Sequence, residues 1–457
     1  MEKNICTAKP MRDIRALNLQ LKNILVRLRK SSFVRNILVV MSGTAMAQVI
    51  GFALTLIISR LFSPYDFGVF GSFNSVVNII AAGVTLNYTQ AIMLPKEKDD
   101  AINLFAVSCL CTAMVAFLCL ICCIVVPTAL NGLMKTTGLW ALALLIVSTT
   151  ISGFNEACQA WCVRVKSFKR TSASQVIRSL SSNGTQIGFG YLKTGAAGLI
   201  AGSILANILA SLNLSRVVFR DLGALHRNIR WKRMKQLAKD YRDFPMYSAS
   251  MDIVNSLSLG LPVLLLTHFY GIAVAGAYAF GIRILSTPMG FVLTALRQVL
   301  FQKAAETHND DGRLMPLYVK ITSGLFALAF FPSLVFFIWA PQLFAWVFGS
   351  QWQMAGEFAR SLVLWMMFMF CNLPAVLFAR IIRIQRKLCV FDIILLSARA
   401  TVLIAGGMYL SAVNTIMLIS IVGAIMNIIF IVIVGFTLMK KEVNTELSVI
   451  INNIKEQ

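Results

Sequence analysis

Charge is scarce in this chain, and histidine is scarcer. Of 457 residues only 13% are Asp, Glu, Lys or Arg, and three are His. A soluble domain carries about twice that share of charge, so a water-soluble fold is excluded. His226, His268 and His308 are too few and too scattered for a His-x-x-x-His zinc site or a Ser-His-Asp set, and no phosphate-binding Gly-rich loop is present. The ten cysteines do not form a disulfide or zinc framework. Cys109, Cys111, Cys119, Cys122 and Cys123 share one apolar segment and read as small apolar side chains. Alternating strands of about ten residues, the mark of a membrane β-barrel, are missing. The amino terminus has no short apolar core ending in a small-residue cleavage site, so no cleavable signal is expected. No metal and no cofactor are expected.

What the chain does have is apolar length. Hydrophobic residues make up 58%, organised in runs long enough to cross a hydrocarbon core of about 30 Å. The predicted spans are 36–60, 67–92, 101–126, 138–162, 171–191, 195–219, 245–268, 273–298, 316–340, 356–379, 389–410 and 414–439. The fifth is rich in Ser, Gln and Asn, a pattern that faces other helices or a cavity rather than lipid. Lys and Arg concentrate in every second gap, and the opposite gaps hold only Arg60, Lys135 and Lys193. The positive-inside rule then puts both termini in the cytoplasm of an inner-type membrane protein. The net charge of +23 belongs to these loops, with anionic membrane lipids as partners, and no nucleic acid is expected.

The basic linker 220–244 divides the spans six and six. Both halves therefore enter the membrane with the same polarity, and an internal repeat would be parallel. The expected organisation is a basic amphipathic segment over 1–35, a first lobe over 36–219, the linker 220–244, a second lobe over 245–439 and a cytoplasmic tail over 440–457. In the first segment, Ile14, Leu17, Leu21, Ile24, Leu25 and Leu28 fall at helical spacing among Arg and Lys, as in a helix lying on the membrane surface. A faint repeat at an offset of 208 pairs Phe67-Gly68-Val69-Phe70 with Ala275-Gly276-Ala277-Tyr278. A glycine between bulky groups permits close helix approach. Pro262, Pro288, Pro332 and Pro374 fall within spans seven to ten, so bent helices are expected in the second half.

Three arginines sit near the middle of spans: Arg178, Arg283 and Arg399. Each needs a partner or a wet cavity. Together they suggest a cationic interior suited to an anionic group, since Arg matches phosphate in a bidentate way. Arg283 stands just before Pro288 and leads the candidates for substrate contact. Glu156, Asp252 and Asp392 also lie within spans. Asp392 and Arg399 are two turns apart on one face and read as a structural ion pair, direct or through other helices, with Asp392 also a candidate for H⁺ or Na⁺ coupling beside Glu156 and Asp252. Glu156 and Asp252 are candidates for H⁺ or Na⁺ coupling, or alternatively partners of basic residues such as Arg164 and Arg242. The short loops and missing acid–base sets argue against an enzyme.

The residues Phe244-Pro245-Met246-Tyr247-Ser248, Asn255-Ser256-Leu257, Leu261-Pro262, Gly276-Ala277-Tyr278 and Arg283-Ile284-Leu285 with Pro288 resemble helices seven and eight of bacterial Wzx-type flippases. These are the polysaccharide transporters of the MOP superfamily. Ser59-Arg60-Leu61-Phe62-Ser63-Pro64-Tyr65-Asp66-Phe67-Gly68 resembles that family's turn between helices one and two. The resemblance spans roughly 35–440. It implies an all-α integral membrane fold of about twelve helices, in two six-helix lobes around a central cavity. It implies alternating access that moves undecaprenyl-diphosphate-linked oligosaccharide units from the inner to the outer leaflet for surface polysaccharide assembly, such as O-antigen. It also implies pathway partners such as a polymerase and chain-length proteins. The drive would be the membrane potential, an H⁺ or Na⁺ gradient, or product consumption. Lipid II flippases of the superfamily carry further arginines in their first two helices. Here only Arg60 stands there, which leaves Arg178 and Arg399 to serve instead. A multidrug antiporter of the same superfamily, a membrane enzyme acting on lipid-linked sugar, and a scaffold subunit are the rival readings.

Overall fold

The computed structural model describes residues 48–134, 139–225, 228–310, 314–382 and 384–455. The surface segment expected over 1–35 and the start of the first span lie outside the described residues. Twelve helices carry the architecture, and the described residues contain no strand. The first half comprises α1 (Gln48–Leu61), α2 (Pro64–Ala81), α3 (Lys98–Val125), α4 (Leu139–Arg164), α5 (Phe168–Tyr191) and α6 (Ala196–Leu225). The second comprises α7 (Ser250–Phe269), α8 (Ile272–Asp310), α9 (Met315–Phe348), α10 (Gln353–Cys371), α11 (Gln385–Tyr409) and α12 (Ala412–Lys455). Among the described residues, nine helical stretches are long and apolar enough to cross a membrane. The remaining three helices are α1, described only from Gln48; α2, which breaks at Ala82; and the polar α5.

Within each half the helices pack mainly on one another: α5 and α4 on α6 in the first, α9 and α12 on α10 and α7 on α11 in the second. The halves meet chiefly where α2 crosses α8 and α7. The two glycines of the faint repeat make that crossing possible. A Cβ on Gly276 would overlap the Pro64 carbonyl oxygen, and one on Gly68 would overlap the Ile272 carbonyl oxygen. Between apolar helices in lipid, such backbone contact supplies the packing that water exclusion cannot.

The turn into α2 is set by sequence. Ser63 caps the helix by accepting from the Asp66 N–H at 3.2 Å, Asp66 accepts from the Ser63 N–H at 2.9 Å, and Pro64 occupies the first turn. Around this turn the halves are sealed at the end opposite the linker. Phe280 stacks on Trp352 at 3.9 Å and Phe67 meets both rings edge-on. The Ser59 carbonyl accepts from Gln351 Nε2 and Trp352 Nε1, each at 2.7 Å. Each such aromatic pair is worth about 0.5–1.5 kcal/mol beyond its burial.

Several spans differ from expectation. Span two is not continuous: α2 stops at Ala81, and the chain turns through Leu86 and Asn87 at φ 49° and 57° before a short helix, Tyr88–Ala91. Asn tolerates this left-handed backbone better than other residues with a side chain. Helix α7 is entered through a wide π-helical turn at Phe244–Ala249. Helix α9 runs through Pro332 and Pro341 as far as Phe348, well past the predicted end. Helix α10 breaks at Asn372 and resumes as Leu373–Ile381, which puts Pro374 in a new first turn, where proline is tolerated, rather than at a mid-span kink. Helix α12 continues to Lys455 through the expected tail. The linker itself contains an amphipathic helix, Trp231–Asp240, whose Met234 and Leu237 are buried. Its Arg233 grips Asp100 through Nε and Nη2, both at 2.7 Å. That bond holds the Arg233 guanidinium above its ordinary pKa.

Candidate functional site

Arg178 and Arg283 come together. They line one pocket of about 280 Å³ between α1, α5 and α8, with Gln48, Thr55, Gln175, Ser179, Ser182, Asn183 and Thr287. Among the described residues no carboxylate lines it. Neither guanidinium has a hydrogen-bond or ion-pair partner among the described residues. Two uncompensated positive charges facing neutral hydrogen-bonding side chains make a site for an anion.

The polarity of α5 explains why the pocket exists. One side of this helix is satisfied by α6: Ser174 Oγ donates to the Ala210 carbonyl at 3.0 Å, and Gln186 Nε2 to the Leu199 carbonyl at 3.3 Å. Another side carries Gln175, Arg178, Ser179 and Ser182 into the pocket, where α1 approaches through Gly51, close to the Ser179 and Asn183 side chains. On α8, Arg283 precedes Pro288, which lacks the N–H that would bond the Ile284 carbonyl. One residue earlier, Thr287 Oγ1 donates to the Arg283 carbonyl at 2.7 Å. Ile284 lines both the cationic pocket and an apolar cleft between α8, α9 and α10 that is bounded by Pro288 and Pro332.

Arg399 stands apart from the other two arginines. It lines a separate cavity of about 630 Å³ within the second half, between α7, α8, α10, α11 and α12. The direct contacts that hold it are a 2.9 Å hydrogen bond to Ser258 Oγ and the face of Trp365, 4.3 Å from its guanidinium carbon. Its relation to Asp392 is one of proximity within the cavity rather than a direct contact. Asp392 lies on the same cavity wall and attracts Arg399 electrostatically, but no contact within 4 Å joins them among the described ion pairs. Helix α8 stands between the two cavities, with Arg283 and Thr287 facing one and Ile282 and Ser286 the other.

Glu156 and Asp252 meet at the α2 break. Glu156 Oε1 accepts from Thr89 Oγ1 at 2.6 Å and Thr85 Oγ1 at 3.3 Å, while Asp252 Oδ2 accepts from Asn87 Nδ2 at 2.7 Å. Neither pairs with Arg164 or Arg242. Arg164 instead ties the carbonyls of Ile92, Pro95 and Glu97. One irregular segment thus holds a carboxylate from each half. Asn87, Thr85 and Thr89 went unrecognised in the sequence because polar residues inside a long span do not by themselves mark a helix break. Trp365 and Asn372 were missed because a tryptophan and an asparagine in an apolar span read as ordinary packing.

Comparison with known proteins shows where this architecture recurs. Residues 57–357 match the family model described as polysaccharide biosynthesis protein, and the chain belongs to that family. The succinoglycan biosynthesis transport protein ExoT of Rhizobium meliloti (strain 1021) is 23% identical over 315 residues, 66% of this chain. The match spans about 60% of that relative's length. Among solved structures, the lipid II flippase MurJ in an inward closed conformation aligns over 92% of this chain and 93% of its own, with a TM-score of 0.70 and 11% identity. An inward-facing multidrug resistance MATE family transporter aligns over 88% and 98%, with a TM-score of 0.66 and 16% identity. These likenesses show that the chain shares the fold of the two transporters.

Proposed function

We propose that this protein is a flippase that moves undecaprenyl-diphosphate-linked oligosaccharide repeat units from the inner to the outer leaflet of the bacterial cytoplasmic membrane, for assembly of a surface polysaccharide such as O-antigen. The observation that carries the reading is the pocket that Arg178 and Arg283 line together, with no carboxylate beside them among the described residues. A diphosphate offers the paired oxygens that guanidinium groups bind best. Cationic drugs, the cargo of the antiporter reading, would be repelled there.

The rest of the molecule supports the same reading. The apolar cleft reached past Ile284 offers an isoprenyl chain a way to lipid while its diphosphate stays in the pocket. The lobes 36–219 and 245–439 rock about the α2–α8 crossing, joined by the linker 220–244, with both termini in the cytoplasm and the basic loops on anionic lipids. Glu156 and Asp252, held from opposite halves by the α2 break, couple an H⁺ or Na⁺ gradient to that motion. The membrane potential adds about 2.3 kcal/mol per charge per 100 mV, favourable in sign for outward movement of a diphosphate. Polymerase and chain-length proteins of the same assembly line consume the product.

The test is reconstitution. In liposomes holding the purified protein, a fluorescent prenyl-diphosphate disaccharide placed in both leaflets becomes fully accessible to a membrane-impermeant quencher. Replacing Arg178 and Arg283 together by Gln slows this at least about tenfold, as expected for losing two charge-assisted contacts. Half-quenching that equals protein-free liposomes would overturn the reading.

A further inference from the structure

One concave surface of the second half lies outside the cavities described above. It is a groove of about 620 Å³ between α9, α10 and α12. It shares no lining residue with the pocket at Arg178 and Arg283 or with the cavity at Arg399. Along α9 it runs from Met315 to Phe326, and along α12 from Met439 back to Ile428. Each edge is eleven helical steps of about 1.5 Å, so about 16 Å long. One leaflet's share of a hydrocarbon core of about 30 Å is close to that length.

Both ends of the groove are defined. At one, Met315 and Met439 stand at the limits of the ninth and twelfth predicted spans, on the face that the positive-inside pattern assigns to the cytoplasm. There the Met315 N–H donates to Glu442 Oε1 at 2.7 Å and joins the start of α9 to α12. At the other, Phe326 and Phe368 close the groove with ring centroids 6.2 Å apart. Tyr318 Oη ties the floor by donating to the Ile431 carbonyl at 2.7 Å. Gly435 keeps the floor deep, since a Cβ there would meet nothing nearer than Tyr318 Cε1 at 3.4 Å. The rim is open, with Val319 and Phe436 exposed.

An apolar trough of this length suits a hydrocarbon chain lying along the bilayer normal. Its mouth adds a charge preference. Lys440 and Lys441 follow Met439 and are exposed, and Lys320 is exposed one residue after Val319. Glu442 stands beside them, but the amino terminus of α9 already engages its carboxylate. Three cations against one engaged carboxylate favour an anionic headgroup, and long Lys side chains extend to the headgroup level.

We propose that this groove binds one anionic diacyl phospholipid of the cytoplasmic leaflet, with an acyl chain in the trough and the phosphate at Lys440 and Lys441. The site is independent of the cargo reading. The bound chain touches α9, α10 and α12 together, so it fastens three helices of the second half to one another.

The test uses the purified full chain in nanodiscs of equal phosphatidylglycerol and phosphatidylethanolamine, with native mass spectrometry counting the lipid retained on each chain. The wild type keeps one phosphatidylglycerol, at least about fivefold over phosphatidylethanolamine. Gly435→Phe fills the trough and lowers that retention at least about fivefold. Gly324→Phe, on α9 but outside the groove and with nothing within 4 Å of its Cβ position, leaves retention unchanged. Lys440→Gln with Lys441→Gln keeps the trough and brings the two lipids within about twofold of each other. Thermal melting confirms folding, and if Gly435→Phe does not fold, the double lysine variant decides alone. Equal retention of the two lipids by the wild type, undiminished retention by folded Gly435→Phe, or an unchanged preference in the double lysine variant would overturn the proposal. Displacement of the phosphatidylglycerol by equimolar undecaprenyl phosphate would also overturn it, and would give the groove to a polyprenyl carrier.

Discussion

Arg178 and Arg283 come from different halves of the chain, 105 residues apart, and share one pocket. On the proposed reading, their pairing makes two costly membrane charges a binding device. If recognition is bidentate, Arg283→Lys keeps the charge and loses the fork, so transport falls about threefold to tenfold, while Arg283→Gln falls further. Equal rates for Lys and wild type would reduce the residue to a point charge. Asp252 poses a separate question. Asp252→Asn keeps a hydrogen-bonding partner for Asn87 but removes the charge, so transport driven by an ion gradient drops to the rate seen without one. Retention of gradient dependence would remove Asp252 from coupling. The arginines and carboxylates were legible in the sequence because charge in an apolar run is conspicuous. Which of them share a cavity was not legible, since that depends on the rotation of each helix about its own axis. Arg399 illustrates the gap: it has the same depth cue as Arg178, but it lies on the other side of α8.

Helix ends and crossings carry the next level. The turn 59–68 was readable because Ser-Pro-x-Asp is a capping signal with its own chemistry. The glycine pair was readable as a repeat, but only the fold reveals that Gly68 and Gly276 pack into the same crossing. Gly276→Ala pushes a methyl group into backbone at Pro64, which cannot move as a side chain can. We expect it to lower stability by about 1–3 kcal/mol, read as a drop in melting temperature. Gly324→Ala, where nothing lies within 4 Å, is the control and is neutral or slightly stabilising. Equal melting temperatures would show that the crossing tolerates separation. The break after Ala81 and the break at Asn372 escaped detection for a shared reason: the spans were drawn from apolar length, and a few polar residues inside a long span do not say where its helix ends. Both breaks place amide or hydroxyl side chains beside a charged cavity or carboxylate, so the missed features are the polar ones.

The whole molecule joins an aromatic seal at one end, built from Phe67, Phe280 and Trp352, to a polar bridge near the other, where Asn87 meets Asp252. Twelve segments, a parallel pair of halves and a basic linker were readable from periodicity and charge alone. The docking of that linker as a helix against α3 required the tertiary contact of Arg233 with Asp100. The central claim is that this machine carries lipid-linked oligosaccharide outward. The direct measurement is the leaflet location of that lipid in cells lacking this protein and any parallel flippase, complemented with wild type or with Arg178→Gln and Arg283→Gln combined. The account predicts accumulation in the inner leaflet, relieved by the wild type and not by the double variant. Normal outward exposure in the cells without the protein would contradict it.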